Sequence, residues 1–245
     1  MTKAFGKLVL PLMLGCSAAA CSTGMTVDAG EGVRLDALGR TGPPPQELVL
    51  AGPDSVTVRT GDRLDIAVAG DPAAVDALRF RIEDGALAIM RVRGSDVKTR
   101  AQVSVTMPSL REITLAGSGD IAAPSLTGDS SITIAGSGGV AVARVAAEAL
   151  DVNIMGSGDL TAAGTARRLD MNVAGSGAMR ARELKVDEVE INIAGSGGGV
   201  FASDGSVNAS IAGSGQVRVF GNATCKGRKT GSGALICRPA AVAAR

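Results

Sequence analysis

The tripeptide Gly-Ser-Gly occurs seven times between residues 117 and 233 of this 245-residue chain, at spacings of 18 to 20 residues. The triplets begin at Gly117, Gly136, Gly156, Gly175, Gly195, Gly213 and Gly231. A unit of about 19 residues has too few side chains to bury an apolar face by itself, so neighbouring units must stack on one another. The repeat therefore predicts a repeat architecture.

Apolar and polar residues alternate in front of each triplet, which is typical of a strand with one buried face. The apolar residue two positions before each of the first six triplets is Leu115, Ile134, Ile154, Val173, Ile193 or Ile211. The polar residue before it is Thr114, Thr133, Asn153, Asn172, Asn192 or Ser210. An antiparallel meander does not require the same residue class at the same position of every unit. A parallel β-solenoid does, because equivalent positions stack into columns, so the solenoid is favoured.

The predicted fold is all-β, a parallel β-solenoid (β-helix) of about seven repeats over residues 113–238, followed by a tail at 239–245. Residues 47–112 have period-two alternation without the triplet and are predicted to form a β-rich N-terminal cap. Asp84-Gly85 is a hairpin signal within that section. Residues 21–46 contain Gly42-Pro43-Pro44-Pro45 and are predicted to be a linker.

Residues 1–20 have the layout of a secretory signal peptide, with Lys3 and Lys7, an apolar stretch, and small residues at 18–20. Cys21 follows at once, as in the bacterial lipobox, and is the predicted lipidation site. We then expect the protein to be attached to a membrane through this lipid anchor. Simple secretion after residue 20 is the alternative.

A second lipidation candidate is Cys16, but it would leave a shorter apolar run than signal peptides use. Ser22, next to Cys21, favours outer-membrane sorting in a Gram-negative cell, with the face of the membrane left open. In that oxidising compartment Cys225 and Cys237, twelve positions apart in the last unit, are predicted to form a disulfide.

Composition excludes several functions. The chain has 25 basic and 24 acidic residues, and a net charge of +1 provides no field for nucleic acid. It has no His, Trp or Tyr, which excludes a histidine-based triad and histidine-bound zinc. We expect no catalytic residues, no metal and no cofactor. The triplets precede strands rather than helices, so they are predicted to be corners and not phosphate loops.

Two sets of polar residues are candidates for a ligand surface. Asn153, Asn172 and Asn192 occupy one column in consecutive units, where stacked amides can bond along the axis or present a flat polar face to a glycan or protein. Arg180, Arg182 and Arg218 fall on an edge of later units, where they can contact acidic sugars or remain solvated charges.

The upstream strands and the repeats together resemble a known family. The residues that carry the resemblance are the runs 55–58, 84–89 and 105–110, with Gly61, Asp71 and repeats such as 115–121. The sequence is similar over about residues 33–238 to the auto-transporter adhesin head GIN domain, a domain of unknown function. The resemblance implies a secreted or envelope-anchored β-solenoid, often a lipoprotein, and supplies no catalytic residues.

The predicted function is therefore that of a non-enzymatic envelope lipoprotein that binds polysaccharide or a surface protein through its flat ladders. One alternative is a carbohydrate-active lyase or hydrolase on the same fold, which requires acids or bases clustered in one groove. The other is a purely structural role in the envelope without a ligand.

Overall fold

A computed structural model describes residues 32–238 of the protein. The predicted signal peptide, Cys16, Cys21 and the tail at 239–245 lie outside the described residues. The described elements are a 3-10 turn (Leu35–Ala37), β1 (Glu47–Ala51), β2 (Ser55–Thr60), β3 (Asp65–Gly70), α1 (Pro72–Asp76), β4 (Leu78–Glu83), β5 (Ala86–Arg91), β6 (Ala101–Met107), β7 (Glu112–Gly117), β8 (Asp120–Ala123), β9 (Leu126–Thr127), β10 (Ser130–Gly136), β11 (Gly139–Gly156), β12 (Asp159–Gly175), β13 (Ala178–Gly195), β14 (Gly198–Ala202), β15 (Ser206–Gly213), β16 (Gln216–Phe220), β17 (Thr224–Thr230) and β18 (Ala234–Arg238).

The strands form a parallel β-solenoid of about seven turns, as the repeat predicts. Equivalent residues of successive units are paired in parallel register; Thr133, for example, pairs with Asn153, which pairs with Asn172. One turn of the solenoid is called a rung here, and neighbouring rungs are about 4.8 Å apart. The antiparallel meander is excluded for the repeats because every strand pair between β7 and β18 is parallel.

Columns of aliphatic side chains fill the interior. The apolar residues on either side of the polar column are buried in the first six units, and they comprise Ile113, Leu115, Ile132, Ile134, Val152, Ile154, Met171, Val173, Ile191, Ile193, Ala209 and Ile211. Phe201 is the one aromatic residue buried among the repeats in the described part of the chain. Burial of these columns at every rung supplies the apolar area that one unit cannot bury alone.

The corners need glycine for two reasons, which Gly156 illustrates. Its φ of 121° lies in a region that residues with a side chain rarely adopt. A Cβ at this position would also collide with the carbonyl oxygen of Gly136 in the rung below. That oxygen accepts a hydrogen bond from the Ser157 backbone N–H at 2.8 Å, so the close approach is part of the ladder that joins the corners.

The N-terminal section contributes a rung of its own. β1 pairs in parallel with β5 on one side and with β7 on the other, while β2 pairs with β6 and β8. Strands β1 and β2 therefore lie inside the solenoid, although they belong to the 47–112 section predicted as a cap. The end is covered by β4 and β3, which add antiparallel to β5 and β6. The β4–β5 hairpin turns at Asp84-Gly85, as predicted.

A corner without the triplet joins β1 to β2. Gly52 has a φ of 151°, and its carbonyl accepts the Gly119 N–H at 2.9 Å, so Gly52-Pro53-Asp54 occupies the place of a Gly-Ser-Gly corner. The Asp54 carboxylate is buried and accepts two hydrogen bonds from Arg91, with the Nε bond at 2.9 Å, and a third from the Ala101 N–H at 2.7 Å. This ion pair joins the first corner to the loop between β5 and β6.

The C-terminal end differs from the rest of the solenoid. Gly227 and Lys229 occupy positions that are apolar in the other rungs, and β17 has no fully buried residue. The predicted disulfide joins Cys225 in β17 to Cys237 in β18 and closes this last rung. No helix within residues 32–238 is long and apolar enough to cross a membrane.

Candidate ligand-binding surfaces

Two outer faces of the solenoid carry the candidate residues. The ladder face is the outward side of the strand segments that end at each corner, and the arginine face is the outward side of the segments that follow each corner. The polar column of the ladder face consists of Thr114, Thr133, Asn153, Asn172, Asn192, Ser210 and Arg228.

Three asparagines of that column form a hydrogen-bonded ladder. Asn192 Nδ2 donates to Asn172 Oδ1 at 3.2 Å, and Asn172 Nδ2 donates to Asn153 Oδ1 at 3.3 Å. Asn172 Nδ2 also donates to Asp170 Oδ1 at 3.1 Å, which fixes the orientation of the central amide. An amide oxygen accepts two hydrogen bonds, so each ladder oxygen retains a lone pair for a ligand hydroxyl.

A shallow groove of about 650 Å³ runs along the ladder face over the asparagines. The column next to the asparagines supplies small residues as its floor, namely Ala174, Ala194 and Ala212. Met155, half-exposed at 50%, stands at one end of this floor, and the side chain of Arg228 stands at the other. Among the described residues 32–238, Arg228 is the single ionisable residue that lines the groove.

A column of acids runs beside the groove and does not line it. In rung order it contains Glu47, Glu112, Ser131, Asp151, Asp170, Glu190, Asn208 and Lys226. Burial, with the charges of Asp170 and Asp129, raises the pKa of Asp151. Burial and Glu112 raise the pKa of Glu47 in the same way. In-register stacking of carboxylates therefore costs folding free energy when they are charged.

The three predicted arginines lie on the arginine face, away from the asparagines. Arg180 makes an ion pair with Asp159 at 2.6 Å. Arg182 lies over the ring of Phe220, with Cζ 4.3 Å from the centroid. Arg218 is two rungs from Arg180 in the same column, with Val200 between them. The sequence placed both sets of residues on one candidate surface, but the structure separates them onto two faces.

Some lining residues were missed by sequence reasoning. Met155 and the alanine floor lie one residue before a triplet, a repeat phase that was available as a signal but that the polar column does not mark. Arg228 lies in the polar column itself, three residues before the last triplet, and was not singled out. Phe220 was missed because its outward direction depends on the register of β16 with β14 and β18. Among residues 32–238, no group of three or more Cys, Asp and Glu side chains is placed to hold a metal ion.

Solved structures share this fold. A crystal structure of a "putative adhesin" from Bacteroides fragilis superimposes with a TM-score of 0.73 at 22% identity, covering 80% of this chain and 93% of that one. A "putative lipid binding protein" from Parabacteroides distasonis gives 0.62 at 21% identity, with the same two coverages. A "putative adhesin" from Parabacteroides merdae gives 0.57 at 20% identity, covering 81% and 93%.

No curated protein matches the sequence. The family model described as "Putative auto-transporter adhesin, head GIN domain" matches residues 44–223, which include the first rung, the N-terminal antiparallel strands and all but the last repeat. The resemblance seen in the sequence is thereby confirmed. The chain belongs to the auto-transporter adhesin head GIN domain family.

Proposed function

We propose that the protein is a non-enzymatic binding module of the bacterial envelope that holds an extended polysaccharide in the groove of the ladder face. The observation that carries the proposal is the ladder of Asn153, Asn172 and Asn192 above an alanine floor. A sugar ring has hydroxyls at its edge and an apolar C–H face. The oriented amides can hydrogen-bond the hydroxyls, and the methyl groups of Ala174 and Ala194 can pack against the apolar C–H face.

The repeat geometry favours a polymer over a small ligand. The groove extends from Thr133 in β10 across β11, β12, β13 and β15 to Arg228 in β17, so its axis runs along the solenoid and spans five rung spacings, about 24 Å. Each rung presents the same kinds of groups at the same height. A chain of sugars with a regular repeat can form similar contacts at successive rungs, and many weak contacts then add to useful affinity.

The lining chemistry supports binding rather than turnover. Glycoside hydrolysis uses two carboxyl groups on either side of the scissile bond. The acids nearest the groove, Asp151 and Asp170, belong to the neighbouring column and do not line it. Arg228 offers only hydrogen-bond donors, so it does not act as a general base.

Attachment to the envelope is part of the proposal. A lipid on Cys21, after removal of residues 1–20, would tether the protein to a membrane, with outer-membrane sorting favoured by Ser22. The family and its structural neighbours with adhesin names support a surface or periplasmic place of action. Radiolabelled palmitate incorporation by the wild type and not by Cys21→Ser tests the anchor, and incorporation by both would refute it.

The groove is tested by titrating the purified protein with neutral polysaccharides in a calorimeter and by screening the same polymers for released products. Asn172→Ala removes the central amide and is expected to weaken binding about tenfold, because it breaks both ladder bonds and frees the flanking amides to rotate. Ala194→Arg fills the groove from an outward position and is expected to abolish binding.

Matched controls separate groove effects from general damage. Asn208→Ala removes an exposed asparagine of the acid column in β15, and Ala141→Arg adds the same bulk to the arginine face. Both are expected to bind as the wild type does. Binding that is lost equally in the control variants, or release of shortened sugars by the wild type, would contradict the proposal.

A further inference from the structure

The last two rungs carry an unbalanced positive charge. Residues 205–238 contain Arg218, Lys226, Arg228, Lys229 and Arg238 and no Asp or Glu, although the whole chain is nearly neutral. None of these five side chains forms an ion pair with another residue of the described 32–238 range. Acids are present in the middle rungs, where Arg167, Arg168 and Arg180 are paired.

Several arginines converge around one aromatic ring at this end of the arginine face. Phe220 is half-buried and outward-facing, and its register neighbours are Ala202 in one rung and Arg238 in the next. The side chain of Arg182, from β13, stacks on the ring. Arg238 is positioned from the other side, where the Gly221 N–H donates to its carbonyl at 3.0 Å.

A cleft of about 210 Å³ lies beside Phe220 and Arg238. Its walls include Arg218, Phe220, Ile236 and Arg238. The nearby acid Asp204 is engaged, since its carboxylate accepts the Asn222 N–H at 2.9 Å. The cleft thus combines an apolar wall with unneutralised guanidinium groups, each a planar donor that can grip a carboxylate with two hydrogen bonds.

We propose that this cleft, with Arg182, Arg218 and Arg238 around Phe220, binds the carboxylates of an acidic polysaccharide. The ring and Ile236 receive the apolar face of a uronic acid, while the arginines bond its carboxylate. The stacking of Arg182 on Phe220 orients its guanidinium before the ligand arrives, which reduces the ordering cost of binding.

The spacing of cations along the face fits a polymer. Arg180, whose exposed ion pair with Asp159 a ligand carboxylate must displace, lies two rungs from Arg218, about 10 Å away. This distance is close to the length of a disaccharide in an extended chain, so alternate sugars present carboxylates at the same interval. A shallow trough of about 450 Å³, floored largely by alanines such as Ala122 and Ala141, continues from Arg180 and Arg182 along the same face and gives the chain room to extend.

The test compares two forms of one polymer against the purified full chain. Polygalacturonate is expected to bind, and the same polymer with methyl-esterified carboxyls is expected to bind at least tenfold more weakly. Arg218→Gln and Arg238→Gln should each weaken polygalacturonate binding about tenfold. Phe220→Leu, which retains an apolar wall but removes the stacking of Arg182, should weaken it a few-fold.

Arg144→Gln is the matched control, because this exposed arginine in β11 lies in a middle rung away from the cleft. It should bind polygalacturonate as the wild type does, and circular dichroism should show that all four variants are folded. Equal binding of the esterified polymer would overturn the proposal. The proposal would also be overturned if polygalacturonate does not bind while phosphatidylglycerol vesicles do, and if the same arginine variants abolish vesicle binding. The site would then recognise a lipid surface.

This inference does not depend on the groove of the ladder face. Asn172→Ala should leave polygalacturonate binding unchanged, and Arg218→Gln should leave binding of neutral polysaccharides unchanged. Loss of both activities in either variant would contradict the assignment of two separate sites.

Discussion

Replacement of Gly156 by alanine tests why the corners of the solenoid require glycine. The alanine must adopt a φ near 121°, and its Cβ collides with the Gly136 carbonyl of the adjacent rung. The unfavourable backbone conformation costs about 1–3 kcal/mol, and forcing a methyl group against fixed backbone costs about 1–3 kcal/mol more. We therefore expect Gly156→Ala to lower the free energy of unfolding by about 2–6 kcal/mol.

Two controls separate the contributions. Gly128 also has a positive φ, 78°, closer to the left-handed helical region, and a Cβ there meets nothing within 4 Å, so Gly128→Ala should show a backbone cost without a collision, about 1–2 kcal/mol. Ser157→Ala changes the exposed middle residue of the same corner and should be within about 0.5 kcal/mol of the wild type.

The assay is urea unfolding followed by circular dichroism, with hydrogen exchange of the backbone to locate the damage. Protection should fall first in the rungs of β10, β11 and β12, because each repeat contacts only its neighbours. If Gly156→Ala is destabilised no more than Gly128→Ala, the close approach of the corner backbones is not what requires glycine, and the reasoning fails.

Three further predictions concern stability. Asp54→Asn leaves the Arg91 guanidinium buried without a counter-charge and should cost about 3–5 kcal/mol in urea unfolding; adding Arg91→Met should recover most of the loss, and no recovery would argue against the ion pair. The raised pKa of Asp151 means that the folded state disfavours the charged form, so this residue lowers stability as pH rises past the ordinary aspartate pKa. Asp151→Asn should therefore raise the melting temperature at pH 7 and leave it unchanged at pH 3, and an equal effect at both values would exclude the charge as the cause. Reduction of the Cys225–Cys237 disulfide should cost about 3 kcal/mol by loop entropy and increase hydrogen exchange in the last rung only; global unfolding on reduction would contradict this.

The repeats were predictable because every unit has the same residue class at the same position. Six aliphatic pairs at one phase and seven glycine pairs at another leave few arrangements other than stacked parallel rungs. The Cys225–Cys237 disulfide followed from chemistry that needs little geometry, since two of the four cysteines in the chain flank one corner.

The rung formed by β1 and β2 was not recognised from the repeat, because its corner has the shape of the other corners without the Gly-Ser-Gly triplet. Pro53 and Asp54 replace the second and third residues of the motif, and the carboxylate at the third position is compensated by Arg91, which is 37 residues away in sequence. Likewise, the separation of the asparagines from the arginines depends on where the chain bends between rungs. Each corner separates the ladder face from the arginine face. The alternation of inward and outward residues along a strand does not by itself say on which of the two faces an outward residue lies.

The position of β1 between β5 and β7 has a mechanical consequence. A pull on the segment that precedes β1 meets hydrogen bonds on both edges of that strand at once, because each edge is paired along five residues. An outermost strand, held along one edge, yields bond by bond as it is peeled away. In a protein held to a surface by its N-terminal segment and loaded through a ligand farther along the solenoid, tension that has passed the bridge between Val33 and Phe80 therefore reaches a strand that must rupture two ladders before it moves.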